Sequence, residues 1–464
     1  MKHLLVTELP HLANSVQWFE RLRPLGNALI LDSVAGASGG YRYRYRYDII
    51  TAAPDTLYRH KDGTTWCKPS TGNTWQALTT EPFKTLQAAL PSPVDSQQMP
   101  FSGGLAGYWG YELNETLEPD RITPRHLSHP SMLVGLYLWA VVVDHHTART
   151  WLVMHPDMSA GKRHYIEQQL HKPVTAFSSV FHLNTPFLAS MSHSEYRNAF
   201  QHVRARIAAG DCYQVNLTQR FSAGYQGDPW SAYLALRSVS PTPFAAFLDF
   251  EELKVLSHSP ERLLRSDNGE IETRPIKGTR PRGCDLDEDV AAAAELLGSE
   301  KDRAENLMIV DLLRNDLGRN CKPGSVDVPA LFDLESYANV HHLVSTVTGQ
   351  LAEGHDNLML LCGAFPGGSI TGAPKVRAME IIRELEPVSR SVYCGAIGYI
   401  SSHGRMDTNI AIRTLVADGQ QIHCWGGGGI VADSDCEMEY QESITKVKNL
   451  MTVLENLEAK RVAL

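Results

Sequence analysis

Short apolar runs separated by tight-turn residues constrain this chain more than any other feature. Asp267-Asn268-Gly269-Glu270 divides the run Arg262–Ser266 from the run Glu270–Arg274, and Asn-Gly is the strongest short hairpin signal. Phe244–Phe250 and Lys254–His258 read as strands of the same kind, as do Cys394–Ser401, Asn409–Ala417 and Gln421–Trp425, with turns at His403-Gly404 and Asp418-Gly419. Strands joined by such short turns must run antiparallel, because a parallel return needs a crossover of a dozen residues or more. Helical patterns cover about 193–209 (capped by Ser192 and ended by Gly210), 287–297, 300–317 and 434–459. There is no regular βαβ alternation and no repeat of 20–50 residues. The expected class is α+β, with large antiparallel β-sheets packed together and flanked by helices.

The N-terminal part reads as strands and turns. Leu29-Ile30-Leu31-Asp32-Ser33 predicts a buried strand. Tyr41–Tyr47 alternates tyrosine with arginine, which predicts a strand with one aromatic and one charged face rather than a nucleic-acid patch. Residues 80–100 read as a linker or loop. The apolar run Met132–Val143 turns through Asp144-His145-His146-Thr147 into Arg149–Met154 as a hairpin, and 156–190 read as a helix and a loose connection. These patterns set a β-rich region at 1–155 and a second region at 190–458, intertwined in one globular unit.

Composition excludes several classes of function. The net charge of -9 argues against nucleic acid as the main partner. No apolar run approaches the roughly 18 residues of a membrane helix, so no membrane association is expected. Met1–Glu8 is too short and acidic for a signal peptide. The eight cysteines form no CxxC pair, so neither a zinc site nor a disulfide framework is suggested. A cytoplasmic enzyme fits these properties.

Five constellations carry chemistry. Thr273-Arg274-Pro275-Ile276-Lys277-Gly278-Thr279-Arg280 sets one lysine between two arginines, and nearby positive charge with partial desolvation would favour a nucleophilic amine. Ser257-His258-Ser259-Pro260-Glu261-Arg262 places a carboxyl between two expected strands, where it could act as general acid or base or be a turn glutamate. Asp302 and Glu305 share a helix face, as do Glu439 and Glu442. Two such helices facing each other need a cation, and Mg2+ suits oxygen ligands; otherwise they are solvated faces, with Glu442 paired to Lys446. Phe365–Lys375 is a glycine-rich turn into a helix, able to hold a carboxylate on backbone N–H groups or simply to turn. Gly426-Gly427-Gly428-Gly429 follows an expected strand, which suits either close approach to the backbone or a flexible loop.

Together these segments resemble the chorismate-utilising enzymes, the family of anthranilate, aminodeoxychorismate, isochorismate and salicylate synthases. The likeness covers most of 190–455. It rests on Ser259-Pro260-Glu261-Arg262, Pro275–Thr279, Ala304-Glu305 with Val310–Leu317, His342–Ser345, Thr371–Lys375 and Gly426–Glu442. Leu31-Asp32-Ser33 and Gly107–Tyr111 extend it more weakly toward the N-terminus.

The resemblance implies an anthranilate synthase component I-like fold. Anthranilate synthases carry alanine where Lys277 stands. Lysine resembles the branch that makes 4-amino-4-deoxychorismate for p-aminobenzoate and folate. Isochorismate and salicylate synthases carry a water-activating lysine where Gln214 stands here.

The implied site has Lys277 as nucleophile at ring C2 and Glu261 as acid. Mg2+ is held by Glu305 and Glu442, with Asp302 and Glu439 behind. Tyr399 and Arg413 grip the enolpyruvyl carboxylate, while Gly278, Thr279, His342, Thr371, Gly427, Gly428 and Lys446 contact the substrate. The implied partners are chorismate and a separate glutaminase that supplies ammonia, since no Gly-x-Cys-x-Gly context occurs in the sequence. Leu31, Asp32 and Ser33 resemble the segment that binds tryptophan in the family. Two alternatives are an anthranilate-forming enzyme and a subunit that binds chorismate or tryptophan without turnover.

Overall fold

A computed structural model describes residues 2–12, 14–34, 46–96, 98–172, 180–337 and 340–457. Two large, predominantly antiparallel sheets of 12 and 13 described strands make up the body of the chain. One core cluster includes Tyr108, Trp109, Leu263 and Leu361, and a second includes Phe19, Trp139, Trp230 and Phe247. The α+β expectation holds.

Both sheets mix strands from distant parts of the chain. In the 13-stranded sheet, Phe244–Asp249 pairs with Ala28–Asp32 and with Lys254–Ser259. In the 12-stranded sheet, Gly104–Trp109 lies between Met132–Tyr137 and Ala396–Ser401. Several short segments cross from one sheet to the other. Tyr137 ends a strand of the 12-stranded sheet, and Trp139 begins one in the other. Lys254–Ser259 gives way to Arg262–Asp267, and Met406–Ile410 gives way to Thr414–Asp418, each pair divided between the sheets in the same way.

The local signals are met where they are local. Helix His193–Ala208 begins with a capping box, in which Ser192 and Glu195 satisfy each other's backbone N–H. The Asn-Gly turn has positive φ at both residues, 53° and 81°, as a tight hairpin between twisted strands requires.

Other expectations are corrected. Residues 80–100 contain helix Pro82–Ala89, with Pro82 in its first turn. The run Met132–Val143 is two strands rather than one. So is Asn409–Ala417, broken at the crossing. Gly426–Gly429 does not follow a strand but continues it, as part of Gln421–Ile430. Most of the Tyr41–Tyr47 repeat lies outside the described residues. Of its end, Arg46 ion-pairs with Asp144 at 2.6 Å and Tyr47 opens strand Tyr47–Thr51.

Candidate active site

A cavity of about 620 Å³ brings together Glu261, Lys277, Glu305, Arg413 and Glu442, residues spread over 180 positions of sequence. Its size is in the range of small-molecule sites. One wall is strand Ile276–Pro281, the next is the tetraglycine strand Gln421–Ile430, and two helices, Glu300–Gly318 and Cys436–Glu455, bring in carboxylates.

Lys277 sits beside a β-bulge. It pairs with Leu343 and Thr279 pairs with the next residue back, His342, leaving Gly278 as the extra residue. The bulge breaks strict alternation, so the consecutive residues 276–280 all reach the cavity. Only glycine suits that position. Its φ is +80°, and a Cβ there would lie 2.7 Å from Leu296 Cδ1 and 3.0 Å from Asp302.

The two arginines that flank Lys277 in sequence are both ion-paired, Arg274 with Glu335 and Arg280 with Glu295 and Asp302. Arg280, Lys301, Arg413 and Lys446 line the same cavity, and the carboxylates of Glu261, Glu305 and Glu442 interact with Lys277 through their charge. Its Nζ donates to the carbonyl of Ser369 at 3.3 Å.

Glu261 lies in the crossing between Ser259 and Arg262 and is 5% exposed. Burial raises its pKa, opposed by the charge of Lys277 and by the Ser369 hydroxyl, which donates to Glu261 Oε1 at 2.9 Å. A carboxyl whose protonated form is favoured by burial is suited to donating a proton.

The acidic quartet faces the same cavity. Burial raises Glu305, which no described residue hydrogen-bonds, and Asp302 and Glu442 push it the same way. Burial also raises Glu439, whose Oε1 accepts from Ser434 Oγ at 2.7 Å. For Glu442 burial acts upward too, but Lys446 outweighs it from 2.6 Å and leaves the carboxyl lowered.

Gly428 makes room for these groups: a Cβ there would lie 2.7 Å from Glu439 Oε2 and 3.4 Å from Glu442 Oε1. Gly426, on the same side, would meet the Ser443 carbonyl at 1.9 Å. Among the described residues no three His, Cys, Asp or Glu close into a ready metal cage. An open set of hard oxygen donors fits Mg2+, which keeps waters and accepts completion by an anionic ligand.

Arg413, His342 and Lys446 line the same cavity. Arg413 has φ +51° at the second part of the Ile410-to-Thr414 crossing. Burial lowers its pKa, and no described carboxylate pairs with it. A guanidinium held this way is suited to a planar carboxylate ligand. His342 Nδ1 shares a hydrogen with Thr279 Oγ1 at 2.8 Å, and burial, with Arg413 adding to it, lowers its pKa to about 4. It is therefore a neutral imidazole at neutral pH. Lys446 Nζ donates to the Gly427 carbonyl at 2.8 Å.

Three expected contacts are not made at this cavity, the first being Gly428, which does not line it although Gly426, Gly427 and Gly429 do. Tyr399 lies in strand Ala396–Ser401, where it packs edge-on against Phe101 and lines a different cavity. The tyrosine beside Arg413 is Tyr393, in the loop before that strand, stacked on Trp425 with ring centroids 6.0 Å apart. Thr371 is fully buried outside the cavity wall, and its hydroxyl donates to the carbonyls of Gly367 and Gly368. It shapes the turn instead of facing the cavity. Asn216, Lys301, Ser369, Tyr393, Ile412 and Trp425 line the cavity without having been anticipated. Of these, Lys301 and Ser369 lay within segments already marked for chemistry.

Leu31, Asp32 and Ser33 line a second cavity of about 720 Å³. The Asp32 carboxylate accepts from Arg237 at 2.6 and 3.1 Å and from the Tyr233 hydroxyl at 2.9 Å. Ser33 Oγ donates to Asp48. Both polar side chains thus already have protein partners.

Comparison with known proteins agrees with this geometry. Aminodeoxychorismate synthase component 1 of Escherichia coli K12 is 46% identical over 448 residues, covering 94% of this chain and 95% of that protein. Anthranilate synthase component 1 of Aquifex aeolicus is 37% identical, covering 95% and 92%. The crystal structure of anthranilate synthase component I from Streptococcus pneumoniae superposes with a TM-score of 0.78 at 31% identity, over 88% of this chain and 92% of that one. The fold is thus the anthranilate synthase component I-like fold. The family model for chorismate binding enzymes matches residues 34–452, and with it this chain belongs to the chorismate binding enzyme family.

Proposed function

We propose that the chain converts chorismate and ammonia to 4-amino-4-deoxychorismate and water through a covalent adduct on Lys277. The observation that carries this reading is Lys277 and Glu261 on one cavity wall, joined through Ser369, in a chain 46% identical to a protein named aminodeoxychorismate synthase component 1. The Lys277 amine forms a bond to ring C2, both ring double bonds shift (C1=C2 to C1=C6 and C5=C6 to C4=C5), and the C4–oxygen bond breaks. Glu261 gives its proton to the departing hydroxyl, which leaves as water. Ammonia then bonds to C4, both double bonds shift back, and the C2–nitrogen bond breaks to release the lysine. The proton carried in by ammonia returns to the Glu261 carboxylate.

Arg413, with Tyr393 beside it, receives the enolpyruvyl carboxylate. Neutral His342 and Thr279 line the ring's path without adding charge. Glu305 and Glu442, with Asp302 and Glu439 behind them, would hold Mg2+. Bound there, the ion supplies positive charge for the ring carboxylate.

The name component 1 belongs to a two-part enzyme, and we infer that a separate glutaminase feeds ammonia to this chain in the cytoplasm. Tryptophan in the second cavity is the less supported part of the reading, since Asp32 and Ser33 are already partnered.

The test is product identification by mass spectrometry. The purified chain is incubated with chorismate, Mg2+ and ammonium at mildly alkaline pH. Aminodeoxychorismate with its pyruvyl group attached supports the reading. Anthranilate with free pyruvate replaces it with the anthranilate-forming alternative, and saturable chorismate binding without product replaces it with the binding-only alternative.

A further inference from the structure

We propose that Ser369 is a positioning residue that couples the nucleophile to the acid, a role that rests on the lysine-adduct reading above. One residue touches both groups: its carbonyl accepts from Lys277 Nζ at 3.3 Å and its hydroxyl donates to Glu261 Oε1 at 2.9 Å. It is 6% exposed, so water does not compete freely for either contact.

The turn that carries Ser369 is clamped from behind. Ser369 lies in the 3-10 turn Gly368–Ile370. The Ile370 carbonyl accepts from Arg390 Nη1 at 2.9 Å and from Asn216 Nδ2 at 3.0 Å. Arg390 is 1% exposed and is itself fixed by two bonds to Glu386, at 2.9 and 2.7 Å, and by a third to the Asn216 carbonyl. On the other side, a Cβ on Gly368 would lie 2.4 Å from Leu312 of helix Glu300–Gly318. The turn is thus fixed between a buried ion pair and a packed helix, and Ser369 inherits that rigidity.

This arrangement has a chemical use. A carboxyl that protonates a leaving hydroxyl must carry its proton on the oxygen facing that hydroxyl. A donor on Oε1 makes Oε1 the acceptor and reserves Oε2 for the proton. The carbonyl on Nζ orients the amine in the same stroke. The charged groups acting on Glu261 are Lys277 and Lys446, which favour its carboxylate, as the Ser369 hydroxyl also does.

The experiment compares Ser369→Ala and Ser369→Thr with the wild type. Ammonia-dependent turnover of chorismate is measured against pH at constant free ammonia. In Ser369→Ala, kcat falls about tenfold to a hundredfold while KM for chorismate stays within about twofold. The alkaline limb of the profile moves up by on the order of one pH unit, because Glu261 loses a donor to its charged form. Ser369→Thr keeps the hydroxyl, and its alkaline limb stays at the wild-type pH whatever its rate. An unchanged kcat and profile in Ser369→Ala, a change confined to KM, or a limb displaced equally in both variants overturns the role of Ser369 alone. A wild type that yields anthranilate overturns the lysine-adduct reading and this role with it.

Discussion

Glu261 and Arg262 are neighbours in sequence but line different cavities, Glu261 the candidate active site and Arg262 the cavity that contains Asp32. The reason is topological. The chain leaves one sheet at Ser259 and enters the other at Arg262. The Ile410-to-Thr414 crossing does the same for Asn409, on the second cavity, and for Ile412 and Arg413, on the first. Glu261 and Arg413 therefore come from segments that belong to neither sheet, free of strand alternation.

Replacing Lys277 by alanine removes the nucleophile while leaving the bulge at Gly278 in place. Aminodeoxychorismate formation should fall by about three orders of magnitude, and some anthranilate should appear as ammonia adds at C2. Chromatography of the products decides it, and an unchanged rate and product would rule out the covalent adduct.

Glu305→Gln keeps the shape of the side chain and removes a charge from the acidic quartet. The Mg2+ concentration for half-maximal activity should rise at least about tenfold, in line with the loss of a metal ligand's contribution. Calorimetric titration with Mg2+ in the presence of chorismate should show the same weakening. An unaltered titration would place the ion elsewhere.

The two glycines that face helix Cys436–Glu455 should behave differently. At Gly426 an added Cβ meets backbone, the Ser443 carbonyl, so Gly426→Ala should cost about 2–3 kcal/mol in urea unfolding. At Gly428 it meets the movable ends of Glu439 and Glu442, so Gly428→Ala should leave stability nearly unchanged and weaken Mg2+ dependence instead. Equal losses of stability would contradict this division.

Arg390 bridges Glu386 to the carbonyls of Ile370 and Asn216 in complete burial. Arg390→Met leaves Glu386 charged and unpaired, at a cost of about 3–5 kcal/mol. The fall in the thermal midpoint measures it, and a shift near zero would mean that Glu386 finds another partner.

Burial lowers His60, His342 and His403 to about 4 and His258 to about 3. These folded values lie below the unfolded value of 6.5. Below pH 6.5 the unfolded chain therefore binds protons that the folded chain refuses, and stability falls as the pH drops from there toward 4. Burial raises Glu112 to about 7 and also raises Asp32, Glu115, Glu261, Glu305, Asp316 and Glu439, and Asp48 raises His145; these groups oppose the trend by losing stability as the pH rises past their unfolded values. Four lowered histidines titrate within this interval against one raised histidine and Glu112, so the thermal midpoint should drop between pH 7 and pH 5. A midpoint that rises across that interval would refute the balance.

Much of this was legible in the sequence wherever the cause was local. The capping box of Ser192 and Glu195, the Asn268-Gly269 turn and the carboxylate pairs at three-residue spacing each depend on residues within one turn of each other. The split of Met132–Val143 was not legible. An unbroken apolar run carries no period, and only the partners Gly104–Trp109 and Arg149–Met154, in separate sheets, divide it. Tyr393 was missed in favour of Tyr399 because six residues separate them, and only the stacking on Trp425 selects the one in the loop. The spacing of Lys277 between two arginines misled for a related reason: their partners Glu335, Glu295 and Asp302 lie 15 to 61 positions from the arginines they hold.

The interleaving of early and late strands also governs how the protein comes into being. Ala28–Asp32 waits for Phe244–Asp249, and Ser102 meets Ser401 across 299 positions. During synthesis, the first third of the chain must leave the ribosome with sheet edges still open and apolar. Nascent chains of this kind fold late and need shielding from one another. A truncation before residue 430 would shorten strand Gln421–Ile430 and leave Gln214–Gln226 without part of its partner.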